Sequence, residues 1–122
     1  MAADFILATV LASLSPSAAV TEYTSPSTEV DVAYEQLRDG DTAAAIRHLE
    51  ESRDGDDPAR LINLGTAYAR DGRAADAATM FRAALKSEQR WLELADGSWR
   101  DSRELAQLAL AQLEQSRALA LR

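Results

Sequence analysis

Four of the five glycines in this chain, Gly40, Gly55, Gly72 and Gly97, directly follow an aspartate. An Asp-Gly step ends a helix or makes a turn, because glycine accepts φ > 0 without steric cost. The steps cut the chain into short segments, and between them apolar residues recur at helical spacing. Val30, Ala33, Tyr34 and Leu37 mark a first helix that stops at Asp39-Gly40. Ala45, Ile46 and Leu49 mark a second, from Asp41 or Thr42 to about Ser52. Asp57 caps a third helix with Pro58 at its first position, the favoured arrangement. That helix carries Leu61, Leu64, Gly65 and Tyr68 and ends at Asp71-Gly72. A fourth runs from near Arg73 to near Ser87, with Ala77, Met80, Phe81, Ala84 and Leu85 in its apolar pattern.

The period then changes. Asp96-Gly97 lies between short runs bearing Trp91 and Trp99, which predicts a small β-hairpin over 90–100. Such a hairpin is not stable alone and must pack on the helices. Asp101-x-x-Glu104 has the form of a capping box. A last helix follows over 101–120, through Leu105, Leu108, Ala109, Leu110 and Leu113. A stack of helices needs a closed end, so at least one of Trp91 and Trp99 is expected to be buried there rather than exposed for recognition. Only 6% of residues are aromatic, against abundant Ala and Leu, which favours close-packed helices over a sandwich or barrel. The expected fold is all-α, with a small β-hairpin and a C-terminal capping helix.

Composition excludes several chemistries. With 122 residues the chain makes one domain. No cysteine and a single histidine leave no disulfide scaffold, no thiol nucleophile and no His-rich or Cys-ligated metal site. A net charge of -7 argues against a nucleic-acid partner. Lys86 is the only lysine among 13 cations, an arginine bias read as genome composition. His48 has no nucleophile or motif around it and reads as an ordinary helix residue. Asp54-Gly55-Asp56-Asp57 lacks the ligand spacing of a calcium loop and reads as a helix stop followed by a helix start. Glu50 and Glu51 are sequence neighbours that point to different sides of a helix. No catalytic constellation is present, so the expectation is no enzyme, no cofactor and no metal.

Phe5 to Leu14 is an apolar run too short to span a bilayer. Small residues at 17–19 follow, the pattern of a secretory signal peptide cleaved after Ala19. The expected location is then periplasmic or secreted, and otherwise cytoplasmic. Residues 1–4 carry no Lys or Arg and one acid, so a short N-terminal helix or a misassigned start is the alternative. Residues 20–29 are rich in Ser, Thr and Pro and read as a linker.

Segment 58–89 resembles a tetratricopeptide repeat, a helix-turn-helix unit of about 34 residues. Leu61 stands where the family often has Trp; Leu64-Gly65, Tyr68, Gly72, Ala77, Phe81 and Ala84 follow at the family spacing. Gln89 replaces the closing Pro. Residues 30–53 resemble a degenerate copy, with Ala33 at the place of Gly65, Ala45 at that of Ala77 and Gly40 at that of Gly72. Gln36 holds the family's Tyr position. The motif 93–103 with the helix after it is similar to the tail of short, often exported bacterial proteins of this family. The resemblance spans about 30–120 and implies a right-handed stack of antiparallel helix hairpins that serves as a protein-interaction scaffold. It implies a concave groove on the first helix of each repeat, at Val30, Tyr34, Leu37 and Arg38 and at Ala59, Ile62, Asn63, Thr66, Ala69 and Arg70. That face is apolar with Arg38 and Arg70 at one edge. The family's carboxylate clamp does not carry over, since Asn63 is its only matching residue. The implied function is binding of a peptide or partner protein. The alternative is a structural or weakly self-assembling subunit whose groove is filled in cis, by the last helix or the 20–28 arm, or by another copy.

Overall fold

The computed structural model describes residues 5–6, 29–53 and 55–121. In chain order they form β1 (Phe5–Ile6), α1 (Glu29–Arg38), α2 (Thr42–Glu51), α3 (Pro58–Arg70), α4 (Ala74–Lys86), β2 (Trp91–Leu94), β3 (Trp99–Asp101) and α5 (Ser102–Ala120). The protein is mostly helical, and the five helices lie within a residue or two of their expected bounds. The expected cleavage after Ala19, residues 20–28 of the expected linker and Asp54 lie outside the described residues, and Glu29, placed in the linker by the sequence, opens α1.

Two helix ends are built alike. At the end of α3, Gly72 N–H donates to Ala69 C=O and Arg73 N–H to Tyr68 C=O. At the end of α1, Gly40 N–H donates to Leu37 C=O and Asp41 N–H to Gln36 C=O. Both are Schellman turns, which require a left-handed residue after the cap. Gly72 and Gly40 supply it, at φ of 77° and 84°. Each turn leaves three residues between helices, so α2 folds back on α1 and α4 on α3. The starts are capped as the sequence implies. Asp41 accepts from Ala44 N–H at 3.2 Å, and Asp57 accepts from Ala59 N–H at 3.0 Å, ahead of Pro58. Asp101 accepts from Arg103 and Glu104 N–H at 2.7 and 3.2 Å. The capping-box reading holds on that side alone, because the Glu104 carboxylate accepts from Arg100 Nη1 at 3.1 Å.

Helices α3 and α4 form the centre. Leu61, Leu64, Ala67 and Tyr68 of α3 face Ala77, Phe81 and Ala84 of α4 in one continuous core with Leu37, Ala45 and Leu49 of the first pair. Gly65 permits the close approach. A Cβ there would lie 2.6 Å from Phe81 Cε1 and 2.8 Å from Cδ1. Helix α5 packs on α4 and α3 and buries Leu105, Ala106, Ala109 and Leu113. Leu108, expected on the buried side, is 46% exposed. It is one residue off the stripe Leu105–Ala109–Leu113, and Ala106 takes the inner place, because small residues let α5 lie close to α4.

The hairpin turn spans Ala95, Asp96 and Gly97, with Gly97 N–H bonded to Leu94 C=O at 2.9 Å and Leu94 N–H to Ser98 C=O at 2.8 Å. Asp96 locks it by accepting from Ser98 N–H and Oγ at 2.9 and 2.6 Å, which holds its carboxyl below the usual carboxylate range. β2 pairs antiparallel with β3, Trp91 opposite Asp101 and Glu93 opposite Trp99. β1 adds a third strand, parallel to β2, with Phe5 opposite Glu93 and Ile6 opposite Leu94. The sequence offers an apolar run at that place, not a strand. Trp91 and Trp99 share one face of the hairpin and are 66% and 53% exposed. Neither closes the core, contrary to expectation. Leu92, Leu94 and Ala95 do so, because strand alternation turns Leu92 and Leu94 to the face opposite the tryptophans.

Candidate functional site

The surface expected to bind a partner lies on α1 and α3, which touch each other. Of the residues assigned to it, Tyr34, Leu37, Ile62, Asn63 and Thr66 are buried, and Ala59 beside them is wholly so. The side chain of Val30 lies outside the described residues. β1 lies against both α1 and α3. The face is therefore closed in this structure, and part of what lies over it is a segment of the same chain. Of the expected in-cis occupants, the last helix packs on α3 and the 20–28 arm lies outside the described residues; residues 5–6 are also in contact with this face.

The two arginines part company. Arg38 is exposed and pairs with its neighbour Asp39, Nε to Oδ1 at 3.2 Å. Arg70 turns inward, and its Nη1 donates to the Leu37 carbonyl at the end of α1. Its Nε and Nη2 are buried and, among the described residues, have no hydrogen-bond partner. Burial lowers the pKa of this guanidinium, since removal from water penalises the charged form. Tyr34 lies nearby on α1. Burial raises its pKa, Arg38 opposes the rise, and Glu35 and Glu93 add to it.

Arginines also serve a purpose that the sequence reading left unassigned. Arg60 Nε donates to Leu49 C=O in the last turn of α2 at 2.7 Å, and Arg103 Nη2 to Ser87 C=O at the end of α4 at 3.1 Å. With Arg70 on Leu37, three helix C-termini receive a cation from a later helix. Carbonyls there lack intrahelical donors and carry the negative end of the helix dipole. The signal available in the sequence was weak: arginine-rich helices, with no fixed spacing to the carbonyls served. Arg90 similarly joins the hairpin to the start of α3 through Asp57, at 3.0 Å.

The other candidates have structural roles. His48 donates from Nδ1 to Gln36 Oε1 at 2.7 Å and ties α2 to α1. Asp57 is a helix cap. Among the described residues no group of three or more His, Cys, Asp or Glu could hold a metal ion. No described helix is long and apolar enough to cross a membrane. Tyr68 links the two helix pairs: its hydroxyl donates to Glu50 Oε1 at 2.6 Å, and Arg73 stacks 4.2 Å from its ring centroid. Burial first, then the bond to Glu50 and that group's charge, push the phenol up to about 12. The neutral phenol is the stabilised form, so this contribution is complete below an ordinary tyrosine pKa of about 10 and is lost as pH rises through about 12. Phenolate absorbance in alkaline titration should show Tyr68 ionising last, after Tyr34, and Glu50→Gln should bring the Tyr68 midpoint down.

Comparison with known proteins adds no relative: no family model, no curated protein and no solved structure matches the chain.

Proposed function

We propose that this protein is a non-enzymatic interaction module of the tetratricopeptide type, exported to the periplasm or beyond, which binds a carboxylate-bearing segment of a partner on the α1–α3 face once the segment of its own chain over that face is displaced. The observation that carries the reading is Arg70. A guanidinium with two buried and unpartnered donor groups on a largely apolar face is an incomplete ion-binding arrangement. Unsatisfied buried donors are costly, and a carboxylate matches the planar fork of arginine. Support for the scaffold type comes from the twin Schellman turns and from the close α3–α4 contact at Gly65. The test is a calorimetric titration with a short apolar peptide ending in Asp and a free carboxylate. Salt-sensitive binding is expected, at least about tenfold tighter than for the same peptide with Asn and an amidated end. Equal affinity for the two peptides, or binding to neither, overturns the carboxylate reading.

A second reading is favoured by the contact of β1 with α1 and α3. In it the protein is a structural or self-assembling subunit whose face is permanently filled by its own chain. A mass that rises with concentration, together with no peptide binding, would select it.

A further inference from the structure

The hairpin leaves both of the chain's tryptophans in water, although Leu92, Leu94 and Ala95 close the core without them. Ser102 N–H bonds to Arg90 C=O and Leu94 N–H to Ser98 C=O, both at 2.8 Å. Bonded and unbonded pairs alternate along an antiparallel ladder, so Glu93–Trp99 and Trp91–Asp101 are unbonded pairs. Side chains directly opposite in such pairs stand closest together and point to one side of the sheet. The outer face of the hairpin is therefore a two-by-two array. Each indole has one carboxylate across from it and another two residues along its own strand. The two carboxylates differ. Asp101 is engaged, since one oxygen caps α5 and the other accepts from Gln89 Nε2. Glu93 is half-buried, and among the described residues its side chain has no ion pair or hydrogen bond. The nearby cations are directed elsewhere. Arg90 pairs with Asp57 at 3.0 Å, Arg100 with Glu104 at 3.1 Å, and Arg103 donates to Ser87 C=O at 3.1 Å.

We infer that the outer face of the hairpin is a docking site for an arginine of another protein, whose guanidinium stacks on an indole and pairs with Glu93. Charge selects the occupant. The face offers a carboxylate without a cation, on a chain of net charge -7, so it repels anionic partners and draws cationic ones. Trp is the most favourable ring for a cation. A guanidinium meets the ring with its flat face and the carboxylate with its planar fork, which the ammonium of lysine does not. The molecule contains this combination once already. Arg73 stacks 4.2 Å from the Tyr68 ring centroid while its Nε pairs with Asp76 Oδ2 at 2.9 Å. The outer face of a hairpin is an open surface rather than a cleft, so it suits a side chain presented by a protein more than an enclosed small molecule. Exposed Trp is also the residue type most enriched where a few side chains dominate binding between proteins. The inference does not rest on the α1–α3 reading, and the chemistry is opposite: a cation here, a carboxylate at Arg70.

The test uses the full chain and its own tryptophan fluorescence, because both indoles lie at the site. The probe is the peptide acetyl-Gly-Arg-Gly-Arg-Gly-amide, which carries no carboxylate. Its control copy has citrulline, the uncharged isostere, in place of both arginines. The arginine peptide should change the emission saturably and bind at least about tenfold tighter than the citrulline copy. Glu93→Gln keeps the size of the side chain. It should bring the arginine peptide down to the citrulline level and leave the citrulline copy unchanged. Trp99→Ala, followed by the emission of Trp91, should weaken the arginine peptide at least about fivefold. Glu93→Gln decides the matter alone if Trp99→Ala does not fold. Equal binding of the two peptides, an arginine preference undiminished in Glu93→Gln, or no saturable response overturns the proposal. A native dimer lost in Trp99→Ala would give the face to a second copy. A tryptophan blue shift with phosphatidylcholine vesicles, and none with the peptides, would give it to a membrane. Either result overturns the proposal as well.

Discussion

Phe81→Ala is expected to cost about 3–5 kcal/mol of folding stability, the range for removing a fully enclosed aromatic ring. Phe81 is completely buried at the centre of α4. Its ring edge lies where a side chain at position 65 would stand, 2.6 Å from an ideal Cβ. With the ring gone, glycine offers nothing to lean into the cavity, so relaxation is limited to movement of α3 toward α4. Ala77 and Ala84 on the same helix as Phe81 are fully buried and, as alanines, offer no longer side chain to swing into the space. The reverse change tests the same contact. Gly65→Ala gains up to about 1 kcal/mol of helix propensity but forces the enclosed ring to move, and overpacking of that kind costs about 1–3 kcal/mol. Gly65→Ala should therefore be net destabilising, and Phe81→Leu should recover part of the loss in the double variant. Urea unfolding at constant m-value measures all three. A loss below about 1 kcal/mol for Phe81→Ala would mean that the ring is not the keystone of the α3–α4 contact.

The parts of the fold that could be read from the sequence are those set by local chemistry. Asp39-Gly40 and Asp71-Gly72 end helices through bonds that span six residues, so no distant part of the chain is needed to interpret them. Asp57-Pro58 opens α3 for an equally local reason. Errors enter where the outcome depends on a partner far away in sequence. Leu108 and Ala106 are both compatible with the helical period of α5, and only the close approach of α4 decides that the alanine goes inside. Trp91 outranks Leu92 on any scale of size, yet strand alternation in a hairpin whose inner face is set by the helices leaves Trp91 outside. Phe5 and Ile6 each pair with a residue 88 positions later, and nothing in a short apolar run specifies that pairing. The candidate site divides in the same way. Its positions on α1 and α3 are expected from a resemblance carried by local spacing, whereas the outward turn of Arg38 and the inward turn of Arg70 depend on whether Asp39 or the Leu37 carbonyl lies within reach.

Arg70→Met should separate stability from binding. Methionine is a good helix former of similar reach, and it fills irregular apolar gaps. The exchange loses one charge-assisted bond, that of Nη1 to Leu37 C=O. That carbonyl keeps its bond from Gly40 N–H at 3.2 Å, so it is not orphaned. The exchange also removes Nε and Nη2, two donors now buried without partners. A lost charged bond is worth about 1.5–3 kcal/mol, and each relieved unsatisfied donor returns about 1–3 kcal/mol. The second effect counts twice, so Arg70→Met should be at least as stable as the native chain in thermal unfolding. Binding should move the other way. Loss of an arginine–carboxylate contact worth about 1.5–3 kcal/mol weakens the Asp-ending peptide about 10–100-fold and removes most of the salt dependence. An arginine present only to cap α1 would give the opposite pair of results, lower stability with unchanged peptide affinity. On the proposed function, the two Arg70 donors that the fold leaves without partners are kept for the carboxylate of a partner.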